Sequence, residues 1–88
     1  MTKAKKRDFP GAIKDYSAAI EAAKIPPDVK AMALYNRALA YSAIHEDAKA
    51  AEDLAAVLKM PGLPENIKVA AEQRRERIRR REEDKDDS

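Results

Sequence analysis

Apolar side chains recur at steps of three and four residues along most of this chain, and that spacing corresponds to one face of an α-helix. The pattern predicts four helices. The first covers about residues 9–24 and the second about 28–44. The third begins at residue 46 or 47 and ends near 60, and the fourth runs from about 64 to the low eighties. Prolines separate them, because proline lacks the N–H that a helix interior needs: Pro26 and Pro27 follow the first helix and Pro61 follows the third. Asp8 is placed to cap the first helix, and Pro27 is placed to open the second.

The apolar surface differs in width from helix to helix. The second helix has a wide apolar surface, which predicts that it is covered on more than one side. The predicted buried stripe of the third helix is Ala50, Leu54, Val57 and Leu58. The predicted core contacts of the fourth helix are Ile67, Ala70, Ala71 and Ile78. Beyond Glu72 the fourth helix is nearly all charge, so we expect it to cap the domain with a polar outer face.

The two ends of the chain are strongly charged, and each predicts a disordered segment. Residues 1–7 carry four basic side chains and no acid, whereas residues 82–88 carry five acids and one lysine. Such segments cannot bury enough apolar surface to offset the entropy lost on ordering. The folded domain is therefore predicted over residues 8–81.

A shift of 38 residues aligns the chain with itself and indicates an internal repeat. The identical positions are Ala12/Ala50, Asp15/Asp53, Ala18/Ala56, Pro26/Pro64, Lys30/Lys68, Ala33/Ala71 and Arg37/Arg75. Apolar positions also correspond: Tyr16/Leu54, Ala19/Val57, Ile20/Leu58, Ile25/Leu63 and Val29/Ile67. The unit is a helix, a turn with proline and a second helix. Units of this kind bury their apolar faces by stacking.

Composition and charge argue against most kinds of chemistry. The chain has no cysteine, which excludes disulfides and thiolate metal sites, and its single histidine, His45, falls in a predicted turn. Gly11 and Gly62 are the only glycines, so there is no phosphate-binding glycine loop. The net charge is only +2, and no apolar run is long enough to cross a bilayer. We expect a soluble, cytoplasmic domain that is not an enzyme and has no metal or cofactor.

Six positions form a pattern of large, small, aromatic, small and large residues followed by proline: Leu34, Ala38, Tyr41, Ala50, Leu54 and Pro61. Ala38 and Ala50 are small where two helices would cross closely. Residues 31–61 therefore resemble one full tetratricopeptide repeat, and residues 8–16 resemble the second helix of a preceding repeat. The family usually has tryptophan at Leu34, leucine at Arg37 and glycine at Ala38. The turn between residues 20 and 31 is also about four residues longer than a 34-residue repeat allows.

The resemblance implies an all-α fold of antiparallel helix pairs, stacked as a short right-handed solenoid of about four helices. The charged C-terminal helix would be the cap. An unrelated alanine-rich four-helix bundle is the alternative fold.

By the same resemblance, the chain is a non-catalytic module that binds a protein or peptide. In this family the first helix of each pair lines a concave face, where partners lie as extended peptides. Carried onto this chain, the candidate peptide-binding residues are Met32, Tyr35, Asn36, Leu39 and Arg74. Asn36 resembles the asparagine position of repeats that clamp a C-terminal carboxylate. Arg74 falls on the matching position of the next helix, where a guanidinium can donate two hydrogen bonds to a carboxylate. Ala70 stands where that clamp has lysine.

Two other classes of function stay open. The first is binding of RNA, DNA or an acidic partner by the arginines of the fourth helix, which are Arg75, Arg77, Arg79, Arg80 and Arg81. Neighbouring acids such as Glu72 and Glu76 offset part of this charge, and the helix has no aromatic residue to stack on bases. The second is self-association, since another copy or upstream sequence could cover apolar surface on the first helix.

Overall fold

The computed structural model describes residues 8–22 and 24–87, with side chains described as far as residue 81. The four helices of this part are α1 (Phe9–Glu21), α2 (Pro27–Ala43), α3 (Asp47–Leu58) and α4 (Glu65–Asp87). The predicted all-α class with four helices is therefore confirmed. None of the helices so described is long and apolar enough to cross a membrane.

The first two helices begin where the sequence predicts and differ slightly at their ends. The Asp8 carboxylate caps α1, accepting a hydrogen bond from the backbone N–H of Gly11 at 3.1 Å. α1 ends at Glu21, earlier than the predicted end near residue 24, because the backbone of Ala22 is extended, with φ −61° and ψ 138°. The following Ile25 precedes a proline, which also disfavours helical backbone there. Pro27 opens α2 as predicted.

A tight turn over residues 44–46 joins α2 to α3. His45 has a positive φ of 66°, the left-handed conformation that usually belongs to glycine after a helix. Its N–H donates to the Ser42 carbonyl at 3.1 Å, and the Glu46 N–H donates to the Tyr41 carbonyl at 2.9 Å. These two bonds satisfy carbonyls that the end of α2 would otherwise leave without partners.

The backbone of α4 is helical to Asp87, beyond the low eighties where the sequence predicts the helix to end and a disordered acidic tail to begin. Glutamate, lysine and arginine are good helix formers, and adding a residue to an existing helix costs far less than starting one. The predicted disorder of residues 1–7 lies outside the described residues.

The helices pack in chain order: α1 on α2, α2 on α3 and α3 on α4, with further contacts between α2 and α4. α3 is the most deeply buried helix, and its Leu54 and Val57 have no exposed surface. Ala38 of α2 and Ala50 of α3 are also 0% exposed and belong to the same core cluster. The prediction that both alanines are buried between helices is thus confirmed. By contrast, α1 has no buried residue.

Candidate functional site

Two of the predicted peptide-binding residues share one cleft. Tyr35 of α2 and Arg74 of α4 line it together with Ala70, Gln73 and Arg77, around a volume of about 110 Å³. The ring of Tyr35 is partly buried against the core cluster, so the core holds this side of the cleft in place. Sequence reasoning therefore pairs Tyr35 with Arg74, and the structure brings the two together.

The other predicted residues lie elsewhere. Asn36 and Leu39 line a separate groove of about 260 Å³ between α1 and α2, together with Asp8, Phe9, Ala12, Tyr16 and Ala40. Met32 lies on the surface of α2 and is 42% exposed. Adjacent positions of a helix point about 100° apart, so Tyr35 and Asn36 face different neighbours. The five predicted residues thus lie in two clefts and on an exposed surface.

The cleft between α2 and α4 is positively charged. Arg74 and Arg77 are one turn apart on α4, and both line it. Within residues 8–22 and 24–81, neither guanidinium has a carboxylate partner. Arg75 faces a different side of α4, where it lines another cleft with Leu58 of α3. Arg74 and Arg77 are therefore available to an anionic group in the cleft.

Three of the five candidate anion-binding arginines contact carboxylates of the chain itself. Arg79 binds Glu76 at 2.7 Å, and Arg80 approaches the same carboxylate at 3.4 Å. The hydrogen bond from Arg79 is the main cause that lowers the pKa of Glu76 below its ordinary value. The third is Arg81, whose guanidinium binds Asp47 of α3. This arrangement leaves fewer positive charges for phosphates than the sequence suggests.

The contacts of Arg81 form what we call the outer arginine cluster, comprising Ser42, Asp47 and Arg81. Arg81 Nε donates to Asp47 at 3.2 Å, Nη2 donates to its other oxygen, and Nη2 also donates to Ser42 Oγ at 3.0 Å. The bond to Asp47 is the first cause of the raised pKa of Arg81, and partial burial opposes it. The cluster ties α4 to the end of α2 and the start of α3.

A second group, the inner arginine cluster, comprises Ser17, Arg37 and Asp53 and joins α1, α2 and α3. Arg37 donates to the two Asp53 oxygens at 2.8 and 2.7 Å and to Ser17 Oγ at 2.9 Å. Its guanidinium carbon also lies 5.7 Å from the centre of the Tyr41 ring, within cation–π range. The bond to Asp53 is the main cause that raises the pKa of Arg37, against the opposing effect of burial.

Sequence reasoning missed both clusters, although a signal for the inner one was present. Arg37 stands where the repeat that the sequence resembles usually has leucine. Asp53 lies three residues after Ala50, on the buried face of α3. Two opposite charges on facing apolar stripes predict an ion pair, because an unpaired buried charge is too costly. The outer cluster had no such signal, since Arg81 is one of many arginines.

A scan against protein-family models finds no match to this chain, and no curated protein or solved structure matches it. The tetratricopeptide resemblance therefore stays a prediction. Among the described residues, no three histidine, cysteine, aspartate or glutamate side chains come together as a metal site would require.

Proposed function

We propose that this protein is a non-catalytic interaction module that binds an acidic, extended peptide in the cleft between α2 and α4. The observation that carries the proposal is the shared cleft of Tyr35 and Arg74. A flat aromatic ring beside a guanidinium offers a peptide both an apolar contact and a bidentate partner for a carboxylate.

Exposed apolar residues on the same two helices support this location. Met32 lies one turn before Tyr35 on α2 and is 42% exposed, while Val69 precedes Ala70 on α4 and is 39% exposed. Apolar side chains beside a cationic cleft favour a peptide with both apolar and acidic residues. We infer from this pairing that an acidic residue or a C-terminal carboxylate faces Arg74 and Arg77.

We also propose that the helices form a short right-handed stack of the tetratricopeptide type. Packing in chain order, with α3 between α2 and α4, supports this arrangement. The burial of Ala38 and Ala50 supports it further, because two small residues allow α2 and α3 to approach closely.

An array of acidic peptides, each with a free or an amidated C-terminus, tests the binding proposal. Hits are titrated by fluorescence anisotropy against the full chain and against a variant with Tyr35→Ala and Arg74→Ala. We expect the variant to bind about tenfold more weakly or worse, the loss typical of removing a bidentate carboxylate contact.

Arg75→Ala is the matched control, because it removes the same charge from outside this cleft and should leave affinity unchanged. Binding that survives the double substitution, or an array with no hits, contradicts the proposal. Titration of single-stranded RNA and duplex DNA at two salt concentrations tests the competing function. Nucleic-acid affinity that falls steeply with salt, and less steeply after Arg75→Ala and Arg77→Ala, would favour nucleic-acid binding instead.

A further inference from the structure

The 38-residue repeat allows each residue of α1 to be compared with its counterpart in α3. Three side chains on one face of α1 are only partly buried: Ala12, Tyr16 and Ala19. Their counterparts on α3 have no exposed surface: Ala50, Leu54 and Val57. Because the two faces are similarly apolar, their difference in exposure reflects which helices pack against each face. On α3 this face is covered by α2 and α4 together. By the repeat, α2 stands to α1 as α4 stands to α3, so the cover that α1 does not have is the one that α2 gives to α3.

The groove between α1 and α2 corresponds to the place that α2 occupies in the second half of the molecule. There α2 contacts both α3 and α4, and its Leu34 and Ala38 belong to the core cluster with Ala71 and Ile78 of α4. The groove between α1 and α2 has a volume of about 260 Å³, and most of its lining is apolar, including Phe9. Its position and lining therefore fit a helix that resembles α2.

A charge on the same face of α1 defines the incoming helix more closely. Asp15 is exposed and has no ion pair with any described side chain. Its counterpart Asp53 is 6% exposed and accepts two hydrogen bonds from Arg37 of α2. By the repeat, Asp15 is where an arginine of the incoming helix would bind.

As a cover of α3, α2 supplies the pattern that such a helix needs. In α2 the pattern starts at the large apolar residue Leu34. An arginine follows three positions later, a small residue four positions later and an aromatic residue seven positions later, which are Arg37, Ala38 and Tyr41. α4 has Glu72, Glu76 and Arg79 at the apolar, small and aromatic positions, so the α4 of a second copy does not fit. Within residues 1–7, Lys3 stands at the counterpart of Tyr41, so this segment does not fit either.

We propose that the groove between α1 and α2 binds a helix of a partner protein, with Asp15 pairing with an arginine of that helix. The apolar residue, the small residue and the aromatic residue of the partner contact the face formed by Ala12, Tyr16 and Ala19. This site is separate from the cleft of Tyr35 and Arg74, so it goes beyond the peptide-binding function proposed above.

A peptide with the sequence of residues 27–43 tests this inference, because it carries the required pattern. The labelled peptide is titrated by fluorescence anisotropy into the full chain and into Asp15→Arg. We expect at least about tenfold weaker binding to the variant, as for the loss of a bidentate ion pair. A peptide with Arg37→Asp should bind the Asp15→Arg chain better than it binds the unaltered chain.

Glu52→Arg is the matched control, because it changes the net charge equally at an exposed position of α3 and should leave affinity unchanged. Equal binding by the unaltered chain and Asp15→Arg overturns the inference. A dimer in sedimentation velocity that Asp15→Arg abolishes also overturns it, since the occupant would then be a second copy.

A second measurement does not depend on the free peptide forming a helix, which is marginal at this length. The sequence of residues 27–43 is joined ahead of residue 1 through a flexible glycine–serine linker, which gives the helix a high effective concentration. We expect this fusion to melt at a higher temperature than the same fusion with Asp15→Arg, while Glu52→Arg has no such effect. Equal melting temperatures for the fusions with and without Asp15→Arg overturn the inference.

Discussion

The inner and outer arginine clusters use the same three residue types in different surroundings. In the inner cluster the side chains of Arg37 and Asp53 are 20% and 8% exposed. In the outer cluster Arg81 is 40% exposed, although Asp47 is only 5% exposed. A guanidinium that water reaches keeps part of its hydration and loses less when its partner is removed. Equal hydrogen bonding therefore does not mean an equal contribution to stability.

The clusters also differ in what they join. Arg37 lies in the middle of the molecule and links α1, α2 and α3, with the Tyr41 ring against it. Arg81 attaches α4 to Ser42 near the end of α2 and to Asp47 at the start of α3, and no described aromatic ring lies against its guanidinium. We therefore expect the inner cluster to affect the whole fold and the outer cluster to affect mainly α4.

The largest effect is expected for Asp53→Ala. The substitution leaves the mostly buried Arg37 without its carboxylate, which should lower the free energy of unfolding by about 2–3 kcal/mol. Urea denaturation followed by circular dichroism measures this. In the double variant Arg37→Leu with Asp53→Leu, which leaves no unpaired charge, part of the stability should return. If Asp53→Ala unfolds at the same urea concentration as the unaltered chain, the inner cluster does not stabilise the fold.

A smaller and more local effect is expected for Arg81→Ala. Water reaches 40% of the Arg81 side chain, but its removal takes two hydrogen bonds from the Asp47 carboxylate, which is only 5% exposed, so the loss should cost about 1–2 kcal/mol. Hydrogen exchange should speed up at the amides of α4 and stay unchanged in the middle of α2. Faster exchange throughout the molecule would show that the outer cluster, like the inner one, affects the stability of the whole fold.

Replacing His45 tests the turn that places Ser42 and Asp47 for the outer cluster. His45→Gly removes the strain of a side chain at positive φ, roughly 1–2 kcal/mol, and the greater freedom of glycine in the unfolded chain offsets part of this. We expect a net gain of about 0.5–1 kcal/mol in thermal denaturation. His45→Ala keeps the strain and should show no gain, and equal melting of both variants would argue against the left-handed turn.

The smallest effect concerns Glu76, a half-exposed carboxylate that pairs with Arg79 on the same helix. Its pKa is lowered chiefly by the hydrogen bond from Arg79, so its contribution to stability is present above the usual glutamate pKa and is lost as the pH falls through the lowered value. Melting temperatures measured from neutral to acidic pH should fall slightly less for Glu76→Gln than for the unaltered chain. Identical pH profiles would show that the pair contributes nothing measurable.

Much of the fold follows from local sequence patterns. Apolar spacing predicts the four helices, Asp8 and Pro27 mark two helix starts, and the small residues Ala38 and Ala50 predict a close helix contact. Each of these predictions depends on residues that are close together in sequence or on the 38-residue repeat. The ends of α1 and α4 were less predictable, because helix ends depend on small differences in backbone energy.

The candidate site was predicted only in part. Tyr35 and Arg74 share a cleft as expected, whereas Asn36 and Leu39 face α1 instead. Whether adjacent helical residues point to the same cleft depends on how neighbouring helices are placed, which periodicity alone does not give. Arg81 shows the same limit, because nothing in a run of arginines distinguishes the one that reaches Asp47.

That α1 has no buried residue has a consequence for how the molecule opens. It packs mainly on α2, and of the three hydrogen bonds made by Arg37 only the one to Ser17 involves α1. Detachment of α1 would leave the Arg37–Asp53 pair and the packing of the buried face of α3 in place. We therefore expect α1 to open at a lower free energy than the whole molecule, while the other three helices keep their native packing.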